Sequence, residues 1–101
     1  MLLCMPKRTP SDRTAEVAGS FATWLRRRRE ELSMTQEELA HRSGLSRNQI
    51  QNLENNRNNN SVGRSSANPS LDTILALEAA LGLELGDLMV QVREFMESGE
   101  R

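Results

Sequence analysis

Along residues 12–32 the chain sets Ala15, Ala18, Ala22, Leu25, Arg29 and Leu32 three or four positions apart, with Phe21 beside them. A row at that spacing is one face of an α-helix. Gly19 weakens its first turns, so the row predicts either one long helix or two pieces meeting near Gly19-Ser20. Thr35-Gln36-Glu37-Glu38 then carries a capping-box signature, in which Thr35 accepts from the Glu38 amide while Glu38 reaches back. It opens a short helix with Leu39 and Ala40. Ser43-Gly44-Leu45-Ser46 stops that helix and starts another: Gly44 suits left-handed φ and Ser46 an N-cap. Arg47 to Glu54 continues helically, with Ile50 and Leu53 inward.

Asn55 to Asn68 is rich in asparagine and serine and has no apolar cluster. It is expected as a loop over 55–69, functional or disordered at that length. Pro69 ends it and Ser70 caps an amphipathic helix with Leu71, Ile74, Leu75 and Leu81 inward, Leu77 flanking, and Gly82 as its stop. A last helix, about 84–98, is striped by Leu85, Leu88, Met89, Val92, Phe95 and Met96. Leu85 and Leu88 are expected to close over the fourth helix. Met89, Val92, Phe95 and Met96 continue the row with nothing left to cover them, which marks an interface. The rival is that residues 12–20 fold back over this helix. The pattern holds no strand and no repeat, so the fold class is all-α: a compact domain of five helices over residues 12–98, preceded by a loose arm at 1–11 broken by Pro6 and Pro10.

Composition agrees with helices. Aromatics make up only 3% of the chain, so the core must come from aliphatic side chains and Met. Cys4 is the one cysteine, which argues against an oxidised, secreted protein. The apolar opening is too short for a signal peptide, and no apolar run is long enough to span a bilayer; a cytoplasmic protein is expected. The net charge of −1 hides a polarised chain. Residues 1–64 hold 11 Lys/Arg against 7 Asp/Glu, and residues 65–101 hold 2 against 7. Such a chain can turn a positive face to phosphate and keep its acidic end away. With His41 and Cys4 alone, no metal site is credible. There is also no Gly-rich phosphate loop, no Ser/His/Asp set and no carboxylate pair in a pocket-forming context. Neither an enzyme nor a cofactor is expected.

The spacing inside residues 36–55 carries the function. Two short helices joined by a tight turn cross steeply, so the residue where they touch must be small, and Ala40 stands there. Gly44 supplies the turn four residues later, and Ile50 and Leu53 pack the second helix back. This leaves that helix's outer face free to enter a major groove. The face carries Arg47, Asn48, Gln49, Gln51 and Asn52. Arginine can bridge guanine O6 and N7, and Asn or Gln can bridge adenine N6 and N7.

These residues resemble the lambda-repressor-like (Cro/repressor, Xre-type) helix-turn-helix family from Leu25 through Met89. The likeness is carried by Leu25-x-x-x-Arg29, Met34-Thr35-Gln36-Glu37-Glu38-Leu39-Ala40 and Ser43-Gly44-Leu45-Ser46. It continues in Ile50-x-x-Leu53-Glu54-Asn55, Asn68-Pro69-Ser70-Leu71-x-Thr73 and Leu81-Gly82-Leu83. The resemblance implies a dimer on a pseudo-palindromic operator in double-stranded DNA. It implies that Gln36 meets a phosphate and that Ser46, Arg47, Asn48 and Asn52 occupy the positions that meet backbone and bases. Arg29 and Glu54 would be a core ion pair. Four consecutive arginines, Arg26 to Arg29, cannot share a face, and the stripe turns Arg29 inward. The chain departs from the family twice. Asn56 stands where a glycine is usual, and Glu54 to Pro69 is far longer than the usual handful of residues. Arg57 and Arg64 in that loop are candidates for the DNA backbone or a minor groove.

The expected function is therefore a sequence-specific transcriptional regulator, a repressor acting as a homodimer. The alternatives within the fold are an antitoxin with a toxin or other protein partner, or a restriction-modification controller. The alternative from another class is an interaction adaptor that does not read DNA.

Overall fold

A computed structural model describes residues 10–56 and 69–99, with side-chain surroundings from residue 13. Helix α1 runs Pro10–Glu31, α2 Gln36–Ser43, α3 Arg47–Glu54, α4 Leu71–Ala80 and α5 Asp87–Glu97. Among the described residues there is no strand, and no helix is long and apolar enough to cross a membrane.

Local chemistry sets three of the helix starts. Thr35 Oγ1 accepts from the Glu38 amide at 3.0 Å, and Glu38 Oε1 accepts from the Thr35 amide at 2.9 Å. Ser46 and Gln49 repeat the arrangement at 3.0 and 2.9 Å. Ser70 Oγ accepts from the Thr73 amide at 3.2 Å. Each cap satisfies a donor that a helix end would otherwise leave open. Gly44 closes α2 in the left-handed region at φ 79°.

Helix α1 is a single piece through Gly19. Its first residue is Pro10, inside the segment expected as an arm; a proline costs nothing in a first turn, whose N–H has no partner anyway. Residues 1–9 lie outside the described residues. A Cβ on Gly19 would meet only Asn56 Nδ2, at 3.9 Å, so this point of α1 is where the end of α3 arrives.

The core gathers Phe21, Trp24 and Leu25 of α1, Met34, Leu39 and Ala40, Ile50 and Leu53 of α3, Leu77 and Leu81, and Leu88 and Val92 of α5. Helix α1 packs on α3 and α5, α2 on α3 and α4, and α4 on α5.

Three expectations about the C-terminal half are corrected. Leu77, expected to flank α4, is fully buried, whereas Leu71 is 72% exposed and Leu75 is exposed too. Helix α4 lies between α2 and α5, so its inward arc is turned from the one its first leucines suggest. Leu85 does not close over α4. It is 84% exposed, because residues 84–86 form a turn and α5 begins only at Asp87.

Val92 is the third: its place on a row with Met89, Phe95 and Met96 predicts an uncovered side chain, yet none of its surface is exposed. The long α1 packs along α5, and Phe95 and Met96 are partly buried against the same core. Arg27 of α1 lies over the Phe95 ring at 5.4 Å. Of that row only Met89 is exposed, next to Val90, with Leu85 in the preceding turn.

Candidate nucleic-acid interface

The α2–turn–α3 unit is built as its spacing demands. Ala40 is buried where the two helices meet, Ile50 is completely enclosed, and Leu53 is buried one turn on. With one side of α3 spent on the core, Arg47, Asn48 and Gln51 stand exposed and Asn52 is half-buried. Gln49, grouped with them in sequence, serves the cap instead: its Oε1 accepts from the Ser46 amide. The Ser46 hydroxyl accepts from the Gln49 amide and keeps its own proton to donate outward.

Beneath this face lies a charged junction. Arg29 Nε donates to Glu54 Oε2 at 2.6 Å and Arg29 Nη2 to Glu54 Oε1 at 3.0 Å. Arg29 Nη1 donates to the Met34 carbonyl at 2.7 Å. The Glu54 side chain is fully buried, so this paired fork ties α1, the α1–α2 turn and the end of α3 together. Its hydrogen bond to Glu54 is the main reason the Arg29 guanidinium is raised above its ordinary pKa.

Gln36, implied as a phosphate contact, turns its amide to the same junction: Nε2 donates to Glu54 Oε1 at 3.0 Å. Arg26 Nε stands 4.0 Å from that oxygen. Asn56, in place of the family's glycine, adopts the left-handed region at φ 56°, which asparagine tolerates better than most side chains. The other two proposed backbone contacts, Arg57 and Arg64, lie outside the described residues.

Sequence reasoning missed two groups. Glu78 is buried, and its Oε2 accepts from the Gly86 amide at 2.9 Å and the Leu88 amide at 3.0 Å. It caps α5 from α4, where Gly86 offers no capping side chain; the readable sign was a helix starting without its own cap. The approach of Arg26 to Glu54 had no such sign, since the two lie on different helices. Among the described residues no three His, Cys, Asp or Glu side chains gather into a metal site.

Comparison with known proteins agrees with this geometry. A helix-turn-helix family model matches residues 25–64. The fold is similar to the crystal structure of the wild-type restriction-modification controller protein C.Esp1396I, with a TM-score of 0.65 at 21% identity, covering 81% of this chain and 95% of that one. It is similar also to C.Esp1396I bound to a 19 base pair DNA duplex, with a TM-score of 0.63 at 21% identity, covering 79% of this chain and 95% of that one. At this identity the likeness is one of fold. No curated protein matches the chain in sequence.

Proposed function

We propose that this chain, whose residues 25–64 match a helix-turn-helix family model, is a sequence-specific transcriptional regulator of the lambda-repressor-like, Xre type that reads the major groove with α3. The observation that carries this reading is the division of α3. One side is locked by Ala40, Ile50 and Leu53, and the other offers Arg47, Asn48 and Gln51 to solvent on a rigid support. A helix held this way presents bidentate donors to base edges with little ordering left to do. Arg47, Asn48, Gln51 and Asn52 are the base readers, and Gln36 and Ser46 contact the backbone. The role is that of a cytoplasmic regulator and not of an enzyme.

Arg47→Ala or Asn52→Ala should cost about 1–3 kcal/mol on a selected operator and relax the preference at one base pair. Gln36→Ala should weaken all sequences evenly, because a phosphate contact carries no base information. Site selection from a random duplex library, followed by titration of each variant, measures both effects. An unchanged base preference in Arg47→Ala and Asn52→Ala would rule out groove reading by α3 and favour the adaptor reading. Among regulators, the fold likeness to C.Esp1396I supports the controller class beside that of a free-standing repressor.

The same reading calls for a homodimer that sets two α3 helices about 34–36 Å apart on a pseudo-palindromic site. Because Val92 belongs to the core, the proposed contact surface is the exposed apolar group of Leu85, Met89 and Val90, with Met96 at its edge. Met89→Glu combined with Val90→Glu should give a folded monomer that binds DNA weakly. Val92→Glu, by contrast, should unfold the chain, since it drives a charge into the core. Sedimentation and circular dichroism separate the two outcomes. A wild-type chain that sediments as a monomer at tens of micromolar would overturn the dimer.

A further inference from the structure

The four consecutive arginines of α1 divide into different tasks. Arg28 pairs with Glu31 at 3.4 Å, one turn along the same helix. Arg29 is consumed by Glu54, and Arg27 covers the Phe95 ring. Arg26 is the remainder. Its Nε stands 4.0 Å from Glu54 Oε1, and its side chain is 52% exposed. That oxygen already accepts from Arg29 Nη2 and from Gln36 Nε2, each at 3.0 Å.

Two guanidiniums therefore face one carboxylate, with Glu30 adding only a longer-range attraction on Arg29, so the junction itself is left with a surplus positive charge. The inner guanidinium, Arg29, holds the carboxylate through two short bonds. The surplus rests with Arg26, on the solvent side and next to Gln36. At 4.0 Å, and half-exposed, Arg26 gains little from Glu54. A phosphate would offer it a full charge and two oxygens matched to its fork. Gln36 has a second amide proton left after the one given to Glu54, so the two side chains can hold one anion between them.

We propose that Arg26 binds a phosphate of the DNA backbone together with Gln36, whose amide Glu54 holds in place from behind. The inference rests on the DNA-binding reading and extends it to a residue on α1, outside the helix-turn-helix proper.

A random-sequence duplex of about 20 base pairs is a sufficient probe, because a phosphate contact is independent of sequence. Wild type, Arg26→Ala and Arg26→Lys are titrated with it between roughly 50 and 200 mM salt. In Arg26→Ala the slope of log affinity against log salt should become shallower by about 0.9, the release associated with one phosphate, with affinity about three- to tenfold weaker. Arg26→Lys should keep the wild-type slope, since the charge remains. The melting temperature of Arg26→Ala should move by less than about 4 °C, as for a surface position. An unchanged slope in Arg26→Ala, with wild type binding normally, overturns this inference alone. A melting point lowered as far as in Arg29→Ala assigns Arg26 to the core pair and overturns it as well. Wild type failing to bind the duplex at low salt overturns the DNA-binding reading itself.

Discussion

Glu54→Ala is expected to destabilise the chain by about 3–5 kcal/mol, the cost of breaking a buried ion pair from one side. Against the 5–15 kcal/mol that holds a typical domain together, a loss of this size leaves little folded margin. The reason is positional. The Glu54 carboxylate has no solvent exposure, and Arg29 is only 11% exposed. Without the carboxylate, the guanidinium keeps one partner, the Met34 carbonyl, in a place where water cannot replace the lost charge. Arg29→Ala should cost somewhat less. The stranded Glu54 would still accept from Gln36, and Arg26, already 4.0 Å away, has a flexible stem with which to move in. Replacing both partners by apolar side chains of similar volume, Arg29→Met with Glu54→Leu, should recover much of the loss, because no charge is then left buried. Urea unfolding of the three variants, with Arg93→Ala, at a side chain 79% exposed, as a surface reference, measures the series. Equal midpoints for Arg93→Ala and Arg29→Ala would rule out the special place of Arg29.

Glu78→Ala should be the next most damaging change, at about 2–4 kcal/mol. One carboxylate oxygen holds the amides of Gly86 and Leu88, and hydrogen bonds to a charged acceptor contribute about 1.5–3 kcal/mol each, less where water can substitute. Helix α5 has no capping side chain of its own, so its first turn would be left with open donors beside a buried void. Glu78→Gln keeps an oxygen of similar reach and should cost only about 1 kcal/mol. Amide hydrogen exchange separates a local from a global effect: the Leu88 amide should lose protection in Glu78→Ala beyond the global loss of stability. Protection of Leu88 equal to wild type would show that Glu78 does not hold the start of α5. A loosened α5 should also weaken self-association through Met89 and Val90, readable as a lower sedimentation coefficient.

What the sequence by itself determined lies within a few residues of each decision. Thr35 with Glu38 and Ser46 with Gln49 are three residues apart, so their hydrogen bonds close within one turn whatever the rest of the chain does. Gly44 owes its position to a turn that needs positive φ, and Asn56 adopts the left-handed region with its own small polar side chain. Ala40, Ile50 and Leu53 were legible because a steep crossing of two short helices admits few alternatives. Arg29 was legible as the inward member of its run, since 100° per residue forbids four neighbours from sharing a face.

Tertiary structure alone decided the rest. A helical period shows that Met89, Val92, Phe95 and Met96 lie on one side of α5, but not how much of that side another helix covers. Helix α1 reaches far enough to enclose Val92 and leaves Met89 and Val90 outside. The same limit applies to α4, where the choice between Leu71 and Leu77 depended on the angle at which α2 and α5 meet it. Glu78 could not be assigned, because its partners belong to a turn whose path depends on that packing. The convergence of Arg26, Arg29 and Gln36 on one carboxylate likewise joins residues 18 to 28 positions from Glu54. Short-range hydrogen bonds and backbone angles are encoded where they occur, whereas the burial of a side chain and the company of a charge depend on which surfaces the folded helices bring together.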